Sequence, residues 1–539
     1  MAKRELLDCT LRDGGYVNDW EFGHDKIVEI FKRLVSSGVE YIEVGFLDDR
    51  RKFDINRTIM PNTQAINKIF GGLNKGNSTV LAMIDYGTCS IDHIQPCKDT
   101  FIDGIRVIFK EHLMYDALAF CKQLKDLGYI VFAQMVSVTT YTDEKLKEYS
   151  KLVNSVMPYA TSMVDTYGLT EADQIYHIYS ILDKYIEPKV KIGFHAHNNF
   201  QLAFANAMAF LNYDSKRNLL VDGTLYAMGK SAGNAALELL MMYMNQKYSK
   251  HYDINQVLEA IDNVIMDIYH KQYWGYNMKF YISAETKCHP NYVSYYLDKK
   301  TLSVKQIMEL LESLKNEKKL LYDKDYAEQM YLEYQSIRCD DRDSVKKLTK
   351  ILKGKNILLL GPGNSIKRQK KRVDRYIDEN EPLVISVNYV PKDTLVQAIF
   401  LTNSKRYTEL MNTLDESVNK DVAIIATSNV YKTNGAFTYV LNYENLIDKD
   451  TEIADNSLVM LLKAMINFKV KKVFLAGFDG YSKRRDNYFE ISREYSYVKE
   501  KADYLNTYVR EFLEKNRKKI DAQFITRSHY NKKEKKDEK

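Results

Sequence analysis

The sequence contains no Cys-x-x-Cys pair. Its six cysteines, Cys9, Cys89, Cys97, Cys121, Cys288 and Cys339, stand apart and show no zinc-ligand spacing. This pattern argues against a zinc ribbon and fits the reduced thiols of a cytosolic protein. Long apolar runs are absent too. No stretch approaches the ~18 residues that a membrane helix needs, and the opening Met-Ala-Lys-Arg-Glu lacks the apolar core of a signal peptide. A cytoplasmic protein with no membrane contact is expected. Nor is there a strong excess of one charge sign. A net charge of +6 spread over 539 residues gives no case for a nucleic-acid partner. The scarcity of proline, 8 residues beside 41 tyrosines, is a bias of composition and not a site.

The chain holds 45% hydrophobic and 28% charged residues, enough to bury more than one core at this length. From residue 4 to about 240, short β-branched runs alternate with amphipathic stretches such as His24–Ser36 and Asp143–Val156. The runs Arg4–Cys9, Tyr41–Phe46, Thr79–Ile84, Gly104–Phe109, Ile130–Val138, Ser162–Thr166, Lys191–His197 and Leu219–Thr224 predict eight strands. Strand–helix alternation implies a parallel sheet, and eight units in this length fit a (β/α)₈ barrel over residues 1–245. A mainly helical appendage and linker is expected over 246–350, with helices at Ser303–Leu314 and Tyr326–Ile337. Strand patterning restarts at Asn356–Leu360 and continues at Leu383–Val387, Ala398–Leu401, Val422–Ala426 and Lys472–Ala476. It predicts a second, open-sheet, Rossmann-like α/β domain over 351–530. Residues 531–539 read as a charged, disordered tail.

Three polar motifs fall at predicted strand ends of the barrel, the face where barrel enzymes carry their sites. They are Asp8-Cys9-Thr10-Leu11-Arg12-Asp13-Gly14-Gly15, Gly193-Phe194-His195-Ala196-His197-Asn198-Asn199 and Gly229-Lys230-Ser231-Ala232-Gly233-Asn234. Residues i and i+2 of a strand share a side, so His195 and His197 project together into the barrel mouth. Asp13 would add an anionic oxygen and Asn234 a neutral one. A mixed nitrogen and oxygen set of this kind suits Mn²⁺ or Mg²⁺ better than a closed structural zinc site. Taken singly, each residue reads as surface, cap or turn. Their convergence at one barrel mouth points to a metal site.

On these residues the barrel resembles the metal-dependent lyase superfamily of 3-hydroxy-3-methylglutaryl-CoA lyase, isopropylmalate synthase and 4-hydroxy-2-oxovalerate aldolase. The resemblance covers about residues 4–245 and extends more loosely to about 315. It implies that Asp13, His195, His197 and Asn234 bind the metal, and that Arg12 stabilises an enolate oxygen. It also implies that Thr166 contacts a substrate carboxylate and that Glu43 stands near the site. Gly15-Tyr16 and Asn198-Asn199 place the chain nearer the aldolases than the acetyl-CoA-dependent synthases. Tyr16 falls where related aldolases carry a basic histidine, so it becomes the candidate for proton transfer. The expected activity is formation or cleavage of a carbon–carbon bond between pyruvate, or a related 2-oxo acid, and an aldehyde. A Claisen-type acyl-CoA lyase or synthase, or a non-catalytic barrel that scaffolds the second domain, are the alternatives. A homo-oligomer is expected.

In the second domain, Gly361-Pro362-Gly363-Asn364-Ser365 follows a strand and precedes a basic stretch, Lys367–Arg375. Glycines at a helix start can offer backbone N–H groups to a phosphate. The alternative is a tight turn beside a solvated basic face. With Asp479 at a later strand end and Asp455-Asn456-Ser457 ahead of an apolar helix, this half resembles sialyltransferase-like and pterin-diphosphokinase-like Rossmann domains. That resemblance implies a nucleotide or nucleotide-sugar partner at Gly361, Gly363, Asn364, Ser365 and Asp479, and a role in cell-surface carbohydrate synthesis. No lysine sits at P-loop spacing, so ATP hydrolysis is not implied.

Overall fold

The eight predicted runs form strands that pair in parallel and close on themselves. They are β1 (Arg4–Asp8), β2 (Tyr41–Leu47), β3 (Thr79–Asp85), β4 (Gly104–Phe109), β5 (Ile130–Met135), β6 (Ala160–Asp165), β7 (Lys191–Ala196) and β8 (Leu219–Gly223). β1 pairs with β8 along its length, and its Leu7 and Asp8 pair with Tyr41 and Ile42 of β2, which completes the ring. This computed structural model describes residues 2–531 apart from 320, 415–418, 420, 434, 450, 491–493 and 496. The chain divides into two compact units, Met1–Pro290 and Asn291–Lys539.

In the first unit, helices wrap the barrel because each carries an apolar stripe at helical spacing. Helix His24–Ser37 buries Ile27, Ile30, Phe31 and Leu34. Inside the barrel, Leu7, Tyr41, Leu81, Phe132 and Leu220 pack together near the strand starts. This apolar plug leaves the opposite, carboxyl end of the strands to polar side chains. Tyr252, Val257, Val264, Ile265 and Trp274 bury in the same core as the barrel helices. The stretch expected as an appendage over 246–350 is therefore shared, its first part completing the barrel's core and its remainder lying in the second unit.

Among the described residues the second unit carries seven parallel strands: β9 (Ile357–Leu360), β10 (Leu383–Val387), β11 (Ala398–Leu401), β12 (Ala423–Thr427), β13 (Tyr439–Leu441), β14 (Lys472–Ala476) and β15 (Asp521–Phe524). Their order is β13-β12-β11-β10-β9-β14-β15. The order reverses between β9 and β14, which makes a topological switch point outside their carboxyl ends. The two edge strands, β13 and β15, were not expected from the sequence because they are short and half-exposed. The tail expected over 531–539 lies, beyond Asn531, outside the described residues. Among the described residues, no helix is long and apolar enough to cross a membrane.

Candidate active site at the barrel mouth

β1 runs directly into a tight turn of π-helix, Thr10–Gly14, and side chains lock it in place. Asp8 accepts hydrogen bonds from Thr10 N at 3.0 Å and Thr10 Oγ1 at 2.6 Å, while Thr10 Oγ1 accepts one from Leu225 N at 2.8 Å. Thr58 Oγ1 donates to Leu11 O at 2.6 Å and Trp20 Nε1 to Arg12 O at 2.7 Å. Trp20 lies so close that a Cβ on Gly15 would stand 1.9 Å from its ring, so only glycine fits there. The clamped turn holds Arg12 and Asp13 buried, at 3% and 1% exposure.

Asp13, His195 and His197 each offer a ligand atom, and these atoms lie within 4.8 Å of one another. The tautomers are set from behind. His195 Nδ1 lies 2.9 Å from Asp222 Oδ2, which leaves its Nε2 buried, without a hydrogen bond and 3.6 Å from Asp13 Oδ2. His197 Nδ1 lies 3.3 Å from the carbonyl of Gly233. Asn234 donates through Nδ2 to Asp13 Oδ1 at 3.1 Å, while its Oδ1 is also buried and unpartnered. An unbonded imidazole nitrogen and an unbonded amide oxygen beside a carboxylate are the donor atoms that a hard or borderline divalent ion takes. The residues present thus fit such an ion, with Asp222 and the Gly233 carbonyl orienting the two imidazoles.

Beneath this set lies a chain of buried charges. Arg12 Nε donates to Glu43 Oε2 at 2.7 Å, and its Nη1 bonds Asp13. Arg106 Nη1 reaches the same Glu43 oxygen at 3.2 Å, and its Nη2 reaches Asp222 Oδ2 at 2.5 Å. Burial works against the charge on Arg12, but Glu43 and Asp13 outweigh it and hold the guanidinium firmly protonated. Burial likewise opposes ionisation of Asp13, yet Arg12 and the two histidines keep it a carboxylate. For His197 burial dominates and depresses its pKa to about 3, so the ring is neutral and able to ligate. Arg12 Nη2 makes no hydrogen bond to a described residue.

The other expected residues lie around this centre. Glu43 is fully buried and couples the two arginines. Tyr16 packs edge-on against Trp20 and Phe46, with ring centroids 4.9 and 6.0 Å away. Burial, with Asp13 nearby, raises its pKa further above 10. Arg12 pulls the other way and is outweighed. Thr166 Oγ1 accepts from Ser137 N at 2.8 Å. Asp222, Arg106 and Lys230 had been given no role. The first two do carry a sequence signal, a charge inside an apolar strand run, since such residues are rarely buried unless paired.

In the second unit the glycine turn is not an open anion cradle. Gly361 N donates to Ala476 O and Gly363 N to Gly477 O, both at 2.8 Å. Ser365 N donates to Asp479 Oδ2 at 2.7 Å. The helix start that a phosphate would occupy thus already holds a carboxylate, and the helix behind it spans only Ser365–Arg368. A Cβ on Gly363 would lie 2.5 Å from Gly477 O, so close packing of the two turns demands glycine there. Asn364 faces the carbonyl of Asp486 at 2.6 Å. Beside these turns, at the switch point, a cavity is lined by Asn388, Arg406, Asp455, Asp479, Tyr481 and Tyr495 among others.

The family model described as HMGL-like matches residues 3–264. A 4-hydroxy-2-oxovalerate aldolase of Marinomonas sp. (strain MWYL1) is 24% identical over 272 residues, covering 48% of this chain and 76% of that protein. One from Moorella thermoacetica is 25% identical over 277 residues, covering 49% and 78%. Among solved structures, the N-terminal domain of a putative aldolase from Bacteroides vulgatus aligns with a TM-score of 0.47 at 22% identity, covering 54% of this chain and 96% of that one. An HMG-CoA lyase from Bacillus subtilis gives 0.40 at 18%, covering 51% and 94%.

Proposed function

We propose, from the premise that residues 3–264 form a domain of the HMGL-like family, that the barrel is a divalent-metal-dependent aldolase. It joins pyruvate or a related 2-oxo acid to an aldehyde, or reverses that step, in the manner of the relatives named 4-hydroxy-2-oxovalerate aldolase. The observation that carries this reading is the buried triad Asp13, His195 and His197, with unpartnered His195 Nε2 and Asn234 Oδ1 beside it.

A Mn²⁺ or Mg²⁺ ion bound there would supply Lewis acidity toward the 2-oxo acid's carbonyl. The chain's own groups do the rest. Arg12 Nη2 stabilises the oxygen that gains negative charge as the methyl proton passes to a water molecule acting as base. Glu43 holds Arg12 in place. The Thr166 hydroxyl binds the carboxylate. Tyr16, protonated, donates to the alkoxide oxygen that forms when the aldehyde is attacked. A cytoplasmic homo-oligomer that serves cell-surface carbohydrate synthesis is the setting we propose. A nucleotide-like partner of the second unit would sit in the switch-point cavity and not on the Gly361–Ser365 turn.

The test is exchange of the pyruvate methyl protons with deuterium in D₂O, followed by NMR without any aldehyde. Exchange should be lost on chelation and return with Mn²⁺. Exchange that is equally fast in metal-free protein would overturn the reading.

A further inference from the structure

One cation at the barrel mouth is held in place with no hydrogen bond or ion pair to its ammonium among the described residues. The backbone of Lys230 is pinned: its N–H donates to Asp13 Oδ1 at 3.0 Å and its carbonyl accepts from Gly233 N at 3.0 Å. Two residues on, Ala232 N donates to Asn199 Oδ1 at 3.1 Å. Ser231 between them sits in the left-handed region at φ 60°, a conformation that persists in a non-glycine residue only where its surroundings enforce it. From this fixed start the side chain runs over Tyr16, with Nζ 5.4 Å from the ring centroid. The ammonium has no hydrogen bond or ion pair among the described residues. Its residue is only part-exposed, and desolvating an ammonium without a counter-ion is costly.

The charges around Lys230 show what it lacks. Asp13 and Asp85 are the nearby carboxylates, and Arg12 and Lys110 the nearby cations. From the segment after the barrel, His289 also lies within electrostatic range, and Lys279 beside it. Asp13 is already committed to Arg12 and Asn234. Asp85 is exposed and faces Lys110 and Arg50 as well as Lys230. Asp85 is thus shared among several cations, and Lys230 has no carboxylate within ion-pair distance among the described residues. A substrate reacting beside Arg12 and extending past Tyr16 would bring its far end to Lys230.

We infer that the acceptor aldehyde carries an anionic group, a carboxylate or a phosphate, and that Lys230 binds it. The inference rests on the aldolase reading above and names its substrate class.

The test uses the full chain loaded with Mn²⁺, with pyruvate and pairs of acceptors matched in length. Succinic semialdehyde is set against butanal, and glyceraldehyde 3-phosphate against glyceraldehyde. The wild type should favour one anionic member by about 10-fold or more in kcat/KM, as expected for one charge-assisted contact. The pair that shows the preference tells carboxylate from phosphate. Lys230→Met should collapse that ratio and Lys230→Arg should keep it. Equal rates within both wild-type pairs, or a ratio unchanged in Lys230→Met, would overturn the inference. Should Lys230→Met fail to fold, the wild-type ratio and Lys230→Arg decide alone. Methyl-proton exchange in the wild type separates the two levels. If exchange is absent the aldolase reading falls, whereas exchange without anionic preference sinks only the acceptor assignment.

Discussion

Replacing Asp222 with asparagine tests whether the metal set is positioned from behind. Asp222 touches no substrate. Its Oδ2 serves both His195 Nδ1, at 2.9 Å, and Arg106 Nη2, at 2.5 Å. An asparagine of the same shape can place its one oxygen where Oδ2 stands and meet both donors, but it brings no negative charge. His195 then loses the carboxylate that raises the basicity of Nε2. Loss of such an orienting carboxylate costs about 10- to 100-fold in metal affinity, or about 1.4–2.7 kcal/mol. Stability should fall as well. Arg106 is fully buried and would keep only Glu43, 3.2 Å away, as an anionic partner, and breaking a buried pair costs about 3–5 kcal/mol. Calorimetric titration with Mn²⁺, run below the melting temperature found by circular dichroism, separates the two losses. A folded Asp222→Asn protein that binds Mn²⁺ as tightly as wild type would refute the reasoning, because His195 would then need no orienting carboxylate.

Arg12→Ala should lower kcat by about 10²–10³-fold, as for loss of an oxyanion donor; steady-state kinetics checks it, and a normal kcat would remove Arg12 from the mechanism. Tyr16→Phe keeps the packing on Trp20 and Phe46 and deletes only the hydroxyl, so aldol turnover should fall about 10²-fold while methyl-proton exchange persists; unchanged turnover would assign the proton to another group. Burial pushes the Asp8 carboxyl up to about 7 from its ordinary 3.8. The folded state then holds a proton that the unfolded state releases, so this group's contribution is full below about pH 4 and is lost as pH rises to about 7, a few kcal/mol in all. Urea midpoints at pH 5 and 7.5 should therefore differ less in Asp8→Asn than in wild type, and an equal difference would show that Asp8 ionises freely in the folded protein.

The strands of the barrel were legible because each is a β-branched run followed by a helical stripe, and β4, Gly104–Phe109, coincides end to end with its run. The convergence of His195 and His197 was legible because strand geometry puts both on one side, and the structure brings them together with Asp13. Asp222 and Arg106 were not assigned, although Leu219-Leu220-Val221-Asp222 and Gly104-Ile105-Arg106-Val107 each set one charge in an apolar run. Which strands such charges face is a property of the closed ring. β4 and β8 are far apart in sequence and are not neighbours in the sheet, and only across the barrel interior do Arg106 and Asp222 meet. Tyr16 shows a different limit. Its position along the motif was readable, but its edge-on packing against Trp20 and Phe46 was not.

The turn Gly361-Pro362-Gly363 shows why a glycine pattern alone cannot separate binding from packing. A phosphate cradle and a close crossing of two turns both demand residues without a Cβ, so both produce the same letters. They differ in where the backbone N–H groups go. In a cradle those donors stay unpaired until a ligand arrives. Here Gly361, Gly363 and Ser365 all donate within the protein, the last to the carboxylate of Asp479. A carboxylate at that position repels the anion the pattern was taken to attract. The nearby glycine Gly477 has φ 75° and packs its own carbonyl against Gly363, so the two turns brace each other at the strand ends. That brace, through Pro362, Gly363, Gly477 and Asp479, lines part of the switch-point cavity. The same cavity is lined by the side chains of Asn388, Arg406, Asp455, Tyr481 and Tyr495.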